Sequence, residues 1–433
     1  MHRLPPLFIE KMKKQLPENE WEAFFAVYKN SPVKGVRLNP LKGGRYALKP
    51  LLPFAKEQIL WEENGFYTDI DKLGASPFHF AGLFYSQEPS AMSAAPLLDV
   101  QPGEKVLDLC SAPGGKGTQM ACKMQGQGIA VLNEPIFSRA KILSSNVERM
   151  GIKNAVVTSE MPETLSKTFV EYFDKILVDA PCSGEGMFRK NAEEALAEWS
   201  EENVALCAER QKHILSHATK MLKKGGRLVY STCTFSYEED EGQVCDYLLT
   251  HPEMRLIKQE KLYPHKVRGE GHFVALFEKT ESTEINKILR EKKPSVSAQG
   301  KKAWEEFAKQ SLVSNFATRL HEGGGVLYHL PDGVFEWNGL QVLRVGIRLG
   351  EVKNGRLEPS HSLALASKKE EWKNAVDFTV DDIRVEKYLR GETVEIDSAN
   401  GWCLVCVCGY PIGLGKAVNG TLKNHLPKGL RKN

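Results

Sequence analysis

No run of about 18 consecutive apolar residues occurs in the 433-residue chain, so no membrane-spanning helix is expected. No apolar core follows Met1-His2-Arg3-Leu4-Pro5-Pro6, and a secretory signal is not expected either. The 9 cysteines are an odd number spread over a long chain, not the framework of a small disulfide scaffold; a cytoplasmic protein with reduced thiols is the natural expectation. Charge of neither sign dominates. The net +3 permits a nucleic-acid partner without arguing for one, so any basic footprint is local. No internal repeat is evident. Two phosphate-binding fingerprints are missing as well. Gly114-Gly115-Lys116-Gly117 does not fit G-x-G-x-x-G, and the glycine spacing of a P-loop is absent.

What is present is an ordinary globular composition, 42% hydrophobic and 26% charged, in a length that suits roughly two to four domains. Its centre is Val106 to Thr118. The apolar run Val106 to Cys110 reads as a buried strand, Pro113-Gly114-Gly115 as a turn, and Gly117 to Met124 as a helix. This is the opening of a nucleotide-binding α/β unit. Gly114 and Gly115 carry no Cβ, so a ligand can approach the backbone, and the helix start favours an anionic or carboxylate group. A second strand, Gly128–Asn133, ends at Glu134, placed for ribose hydroxyls. By itself a glycine turn can equally be a tight loop that binds nothing.

The alternation continues with a helix over Ile136–Met150, strands at Ala155–Thr158 and Lys175–Asp179, a helix over Glu193–Leu222 and a strand at Gly226–Ser231. It predicts a parallel sheet with right-handed crossovers and a site at the carboxyl ends of the strands. Before it, Phe8–Leu16 and Glu20–Tyr28 have helical spacing, with Trp21, Phe24, Phe25 and Tyr28 on one side, more simply core than a base-stacking platform. Gly35 to Pro40 reads as a strand and turn. After the core, about 280–303 reads as a polar linker. Short strands follow at Gly325–Leu330, Gln341–Leu349, Trp402–Cys408 and Pro411–Ala417. Cys403 and Cys406 have zinc-like spacing but no second pair, so they and Cys408 are expected to be buried thiols, and no metal is expected.

Three stretches lie on strand ends in a fixed order: Ser111-Ala112-Pro113-Gly114-Gly115-Lys116, Asp179-Ala180-Pro181-Cys182-Ser183-Gly184, and Tyr230-Ser231-Thr232-Cys233-Thr234. Together they resemble the S-adenosylmethionine-dependent RNA cytosine-5 methyltransferases, with the bacterial RsmF type the most similar. The resemblance implies an α/β fold: a Rossmann-like core with a mainly parallel sheet (91–283), an N-terminal α/β RNA-binding module (1–90), a linker and intermediate domain (284–365) and a β-rich PUA-like domain (366–433). Arg37-Leu38-Asn39 matches the family's N-terminal pattern; otherwise Arg37 reads as a surface charge on an edge strand. The lysine-rich tail, Lys416 to Lys432, reads either as phosphate contacts or as a solvated terminus.

Carbon 5 of cytosine is a poor nucleophile until a thiolate adds at carbon 6, so the chemistry needs a nucleophilic Cys, an acid near N3, a methyl donor and a base for the carbon-5 proton. By the resemblance, Cys233 attacks, Cys182 assists release, Asp179 contacts N3 and the amino group, and Lys116 tunes a thiolate or binds phosphate. S-adenosylmethionine is held by Cys110, Ser111, Ala112, Pro113, Gly114, Gly115 and Lys116, by Glu134 at the ribose, and by Arg139 and Asp179. The family's Asp after the third strand is missing; Thr158-Ser159-Glu160 stands there, and Glu160, or else Ser159, is the adenine contact. The expected partner is small-subunit ribosomal RNA or the 30S particle, with no membrane partner and a monomeric enzyme. The alternatives are a transfer-RNA enzyme or a non-catalytic RNA-binding assembly factor, which would need none of Asp179, Cys182 and Cys233.

Overall fold

In a computed structural model, which describes residues 4–283 and 289–432, the apolar runs become neighbouring strands of one sheet. They are β1 (Lys105–Asp108), β2 (Ile129–Asn133), β3 (Ala155–Thr158), β4 (Phe173–Asp179), β5 (Leu222–Thr232), β6 (Met254–Leu262), β7 (His272–Lys279) and β8 (Val342–Val345). The order across the sheet is β8-β3-β2-β1-β4-β5-β7-β6. Strands β1 to β5 run parallel, while β7 is antiparallel to β5 and β6, and β8 to β3.

Both faces are covered, which is why the strands read as unbroken apolar runs. Alternate residues enter two cores. Leu107, Val131, Ile176 and Val178 pack with Leu215 and Ala218 of the helix Glu201–Met221. Val106, Ala130, Leu132 and Leu177 pack with Met120 and Leu143 of the helices Gly115–Lys123 and Phe137–Arg149. Each of the Val, Leu, Ile and Met side chains contributes about 1.5–3 kcal/mol. The order of the strands reverses between β1 and β4, so their carboxyl ends diverge from a shared crevice.

The structure departs from the sequence pattern at several points. The expected helix 193–222 breaks at Trp199-Ser200 into Ala192–Glu198 and Glu201–Met221, because Ser200 Oγ accepts the Asn203 N–H and caps the second helix. The helix expected from Gly117 begins at Gly115, since Gly114 at φ +115° turns directly into it. The stretch read as a linker ends in a helix, Ala298–Ser311, capped by Ser297 and buried along Ala303, Trp304 and Phe307; residues 284–288 lie outside the described residues. The run 341–349 divides at Gly346, at φ +54°, where a Cβ would lie 2.2 Å from His329 O. Before the glycine the chain is β8 of the core sheet; after it, Ile347–Lys353 joins a separate four-stranded sheet.

The ends of the chain fold together. The N-terminal sheet places Gly35–Leu38 between Gly65–Tyr67 and Phe84–Ser86, and its Val36, Leu38 and Phe84 share a core with Val376, Val405 and Ile412 of the C-terminal five-stranded sheet. Arg37 is therefore not an edge-strand surface charge. It is 1% exposed in a central strand. Its guanidinium donates to Gly115 O at 2.6 Å, to Thr118 Oγ1 at 2.8 Å and to Gln87 Oε1, tying the N-terminal sheet to the helix start after β1. The aromatic stripe is core: Phe24 is buried, Phe8 meets Phe188 at 5.0 Å between ring centroids, and Phe24 meets Phe235 at 5.8 Å. Cys403 and Cys406 are buried in the strand Gly401–Val407, where burial raises both thiol pKa values. Among the described residues no helix is long and apolar enough to cross a membrane.

Candidate active site

Two half-sites meet at the carboxyl ends of β2, β1, β4 and β5. The first begins where β1 ends. Gly117 lets the following helix sit directly on the strand end, since a Cβ there would lie 2.2 Å from Ser111 Oγ and 2.7 Å from Asp108 Oδ2. Arg139 Nη2 donates to Ala112 O at 3.1 Å, and Asn146 Nδ2 donates to Pro113 O at 2.8 Å, so the helix after β2 holds the turn in place. Glu134 is buried at the end of β2. Its Oε1 accepts the Ile136 N–H at 3.1 Å, and Arg139 Nη1 lies 3.6 Å from Oε2.

Asn133 was not singled out from sequence, yet it joins three strand ends. It donates to Leu109 O at 3.1 Å and to Glu160 O at 2.9 Å, and accepts from Glu160 N–H at 3.1 Å and Thr158 Oγ1 at 2.8 Å. A polar residue closing an apolar strand just before an acidic one was the available signal. Ser159 Oγ donates to Pro135 O at 3.2 Å. Glu160 Oε1 accepts the Gln341 N–H at 2.6 Å, so the segment leading into β8 tethers that carboxylate.

Asp108 is fully buried, and neither of its carboxylate oxygens has a well-formed hydrogen-bond partner; the neighbouring Ser111 hydroxyl is in the same position. Orphaned acceptors of this kind and the buried Glu134 carboxylate suit a ligand carrying an ammonium group and vicinal hydroxyls. Burial, then the charge of Asp179, pushes the Asp108 pKa up to about 7. The folded carboxyl therefore holds its proton more tightly than the unfolded one at 3.8, so the stability contributed by this group is full below that pH and is lost as pH rises through about 7. We expect ligand-free protein to lose about 4 kcal/mol at most across this window, a loss that Asp108→Asn should flatten in denaturant titrations over the same pH range. An unchanged slope in the variant would remove Asp108 as its source.

The second half-site carries the thiols. Asp179 closes β4, with Oδ1 2.8 Å from Lys116 Nζ and accepting from Ser231 Oγ at 2.9 Å. The Lys116 side chain is 9% exposed and that of Asp179 31%. Beyond them, Cys182 and Cys233 bring their sulfurs to 3.2 Å, and the Cys233 N–H points at Cys182 Sγ from 3.3 Å. Both are partly exposed. The loops that carry them are fastened together: Ser183 Oγ bonds Thr234 Oγ1 at 2.8 Å, and Gly186 N–H donates to Cys233 O at 2.8 Å. Glu185 accepts from Phe235 N–H at 3.0 Å and Trp199 Nε1 at 3.0 Å beneath them. The thiol contact with Cys233, then burial, raises the Cys182 pKa well above the ordinary thiol value. A thiol held protonated at neutral pH is a weak nucleophile and, once ionised, a strong proton acceptor.

His272, at the start of β7, was also missed. It is 1% exposed, neither ring nitrogen has a hydrogen-bond partner, and Nε2 lies 4.0 Å from Asp179 Oδ1. Burial, then the Lys116 charge, lowers its pKa well below the usual value, so the contact is that of a neutral ring with a carboxylate. Cys110 lies in the turn after β1, and burial followed by the Asp108 charge raises its pKa well above the usual value.

This arrangement coincides with matches to known proteins. The chain matches the family described as 16S rRNA methyltransferase RsmB/F over residues 95–284, the N-terminal domain of 16S rRNA methyltransferase RsmF over 4–89, the RsmF rRNA methyltransferase first C-terminal domain over 306–366, and the methyltransferase RsmF PUA domain over 375–432. Ribosomal RNA small subunit methyltransferase F of Vibrio parahaemolyticus is 33% identical, covering 99% of this chain and 97% of its own. The protein of the same name in Shewanella piezotolerans is 32% identical, with 98% and 97% covered. A methyltransferase homolog from Pyrococcus horikoshii superposes with a TM-score of 0.56 at 26% identity, over 64% of this chain and 100% of that one. The crystal structure of NSun6 from Pyrococcus horikoshii with SFG shares the fold at a TM-score of 0.58 and 21% identity, over 64% and 98%.

Proposed function

Since the chain belongs to the 16S rRNA methyltransferase RsmB/F family and is S-adenosylmethionine-dependent, we propose that it methylates carbon 5 of a cytosine in small-subunit ribosomal RNA through a bond from Cys233 to carbon 6. The observation that carries this reading is the pair of thiols 3.2 Å apart beside Asp179. Neither ribose nor base-nitrogen methylation calls for two adjacent cysteines.

S-adenosylmethionine, when bound, supplies the electrophilic methyl group. The chain's own residues do the rest. The turn from Cys110 to Lys116 holds the methionine part of the donor, Glu134 takes the ribose hydroxyls, and Arg139 keeps that carboxylate aligned with the turn. Cys233 adds to carbon 6 as its thiol proton passes by way of the Asp179 carboxylate to N3, which makes carbon 5 enamine-like. Lys116 and Ser231 fix the Asp179 carboxylate. After transfer, Cys182, having given its thiol proton to solvent, takes the carbon-5 proton, the carbon–sulfur bond breaks, and the proton at N3 returns through Asp179 to the departing Cys233 thiolate. The high Cys182 pKa supports this division of labour. The target cytosine has to be unpaired or flipped, because carbon 6 is shielded in an A-form helix. Residues 1–90 and 366–433 supply phosphate contacts on this reading, with affinity that falls as salt rises.

Bisulfite mapping of total RNA with and without the protein tests the assignment. One or more protein-dependent 5-methylcytosines in 16S rRNA are expected; a protein-dependent mark confined to transfer RNA would move the substrate, and no mark would remove the activity. For the donor pocket, Glu134→Ala is expected to weaken S-adenosylmethionine binding about 10- to 100-fold by calorimetry, the loss of charged hydrogen bonds to a diol. Unchanged affinity would end the ribose role.

A further inference from the structure

We propose that Glu163, His213 and His217 form a site for one divalent ion of the zinc, nickel or cobalt class. No metal was expected from the sequence, and the three residues lie apart from the thiol site. His213 and His217 stand four residues apart on the helix Glu201–Met221 and so share one of its faces, their rings 4.7 Å apart. Glu163 lies on the short helix Pro162–Thr168, and one ligand atom from each of the three falls within 4.8 Å of the other two. Glu163 Oε1 is 3.3 Å from His213 Nδ1. Two ligands bound about 2.0–2.1 Å from a tetrahedral zinc stand about 3.3 Å from each other.

Ser166 orients the ligands. Ser166 Oγ donates to Glu163 O at 3.2 Å and lies 2.8 Å from His217 Nδ1. A serine has one proton. With it given to the carbonyl, the hydroxyl accepts from His217 Nδ1–H, and the lone pair stays on His217 Nε2, where a metal needs it. Glu163 Oε2 is buried without a partner. Two imidazoles with one carboxylate select a borderline ion over magnesium or calcium, and a fourth position is left for water. Bound there, the ion joins the crossover helices on either side of β4, the strand that ends at Asp179.

The test is titration of the full, metal-free chain with Co2+, read by absorption and calorimetry, then with Zn2+ in competition. One ion per chain is expected, without a thiolate-to-cobalt charge-transfer band, and the melting temperature should rise with metal concentration. His217→Ala and Glu163→Gln should each weaken binding at least about 10-fold. His213→Ala, at a side chain 55% exposed, provides a variant whose folding is not at risk. The double variant Cys182→Ser/Cys233→Ser should bind as the parent does. Absence of binding at micromolar free metal, retention of full affinity in His213→Ala and His217→Ala, or a thiolate band lost in the cysteine double variant would each overturn the proposal.

Discussion

In Cys182→Ala, RNA is expected to remain covalently attached to Cys233 and to appear as an SDS-resistant protein–RNA band that requires S-adenosylmethionine. In Cys233→Ala, methylation and the band should both vanish. The two sulfurs are 3.2 Å apart, so either can in principle reach the same ring carbon, and position alone does not separate them. We take the roles from the motifs: by the resemblance the Thr-Cys thiol, Cys233, attacks and the Pro-Cys thiol, Cys182, takes the proton, and the Cys182 pKa, raised by its thiol contact with Cys233, agrees with that division. Without Cys182, attack and methyl transfer still proceed, but the carbon-5 proton has no acceptor and the carbon–sulfur bond persists. A trapped band in Cys233→Ala with none in Cys182→Ala would reverse the assignment.

Asp179→Asn is expected to lower single-turnover methylation about 10²- to 10⁴-fold, the range for a positioned acid, while donor affinity changes far less. Asparagine keeps the size of the side chain and can still accept from Ser231 Oγ, now 2.9 Å from Asp179 Oδ1, but it cannot hold a transferable proton at N3. It also leaves the Lys116 ammonium, 2.8 Å away and nearly buried, without its counter-charge. Lys116→Met separates these effects: it removes the cation and keeps the acid. Turnover in Asp179→Asn equal to that of the parent would exclude Asp179 from proton handling. A loss equally deep in Lys116→Met would shift the cause to the ion pair.

The three motifs were legible because each is local: an apolar run, a Gly or Pro break, and a polar residue at the strand end. Those are contiguous signals, and strands buried on both faces are the simplest pattern to read. Arg37, Asn133 and His272 were not legible in the same way. Each is a polar residue in an apolar strand context, and its meaning lies in partners far along the chain: Gly115 and Thr118 for Arg37, Leu109 and Glu160 for Asn133, Asp179 for His272. Spacing within one segment carries no trace of them. The same holds for Glu163, whose partners His213 and His217 come from a different crossover.

By itself the sequence determined the alternating α/β core, the glycine turn and acidic strand end of a donor site, and the order in which Asp179, Cys182 and Cys233 arrive, since these depend on neighbours within a few residues. The folded chain decided that the two thiols touch, because the parallel pairing of β4 with β5, the Ser183–Thr234 bond and the Gly186 N–H to Cys233 O bond bring their loops together. It also decided that Val342–Val345 closes the edge of the core sheet and that the N-terminal sheet shares a core with the C-terminal one. Backbone pairing and apolar burial are blind to sequence separation, so segments that look like separate units along the chain become one surface when the area they hide from water is shared.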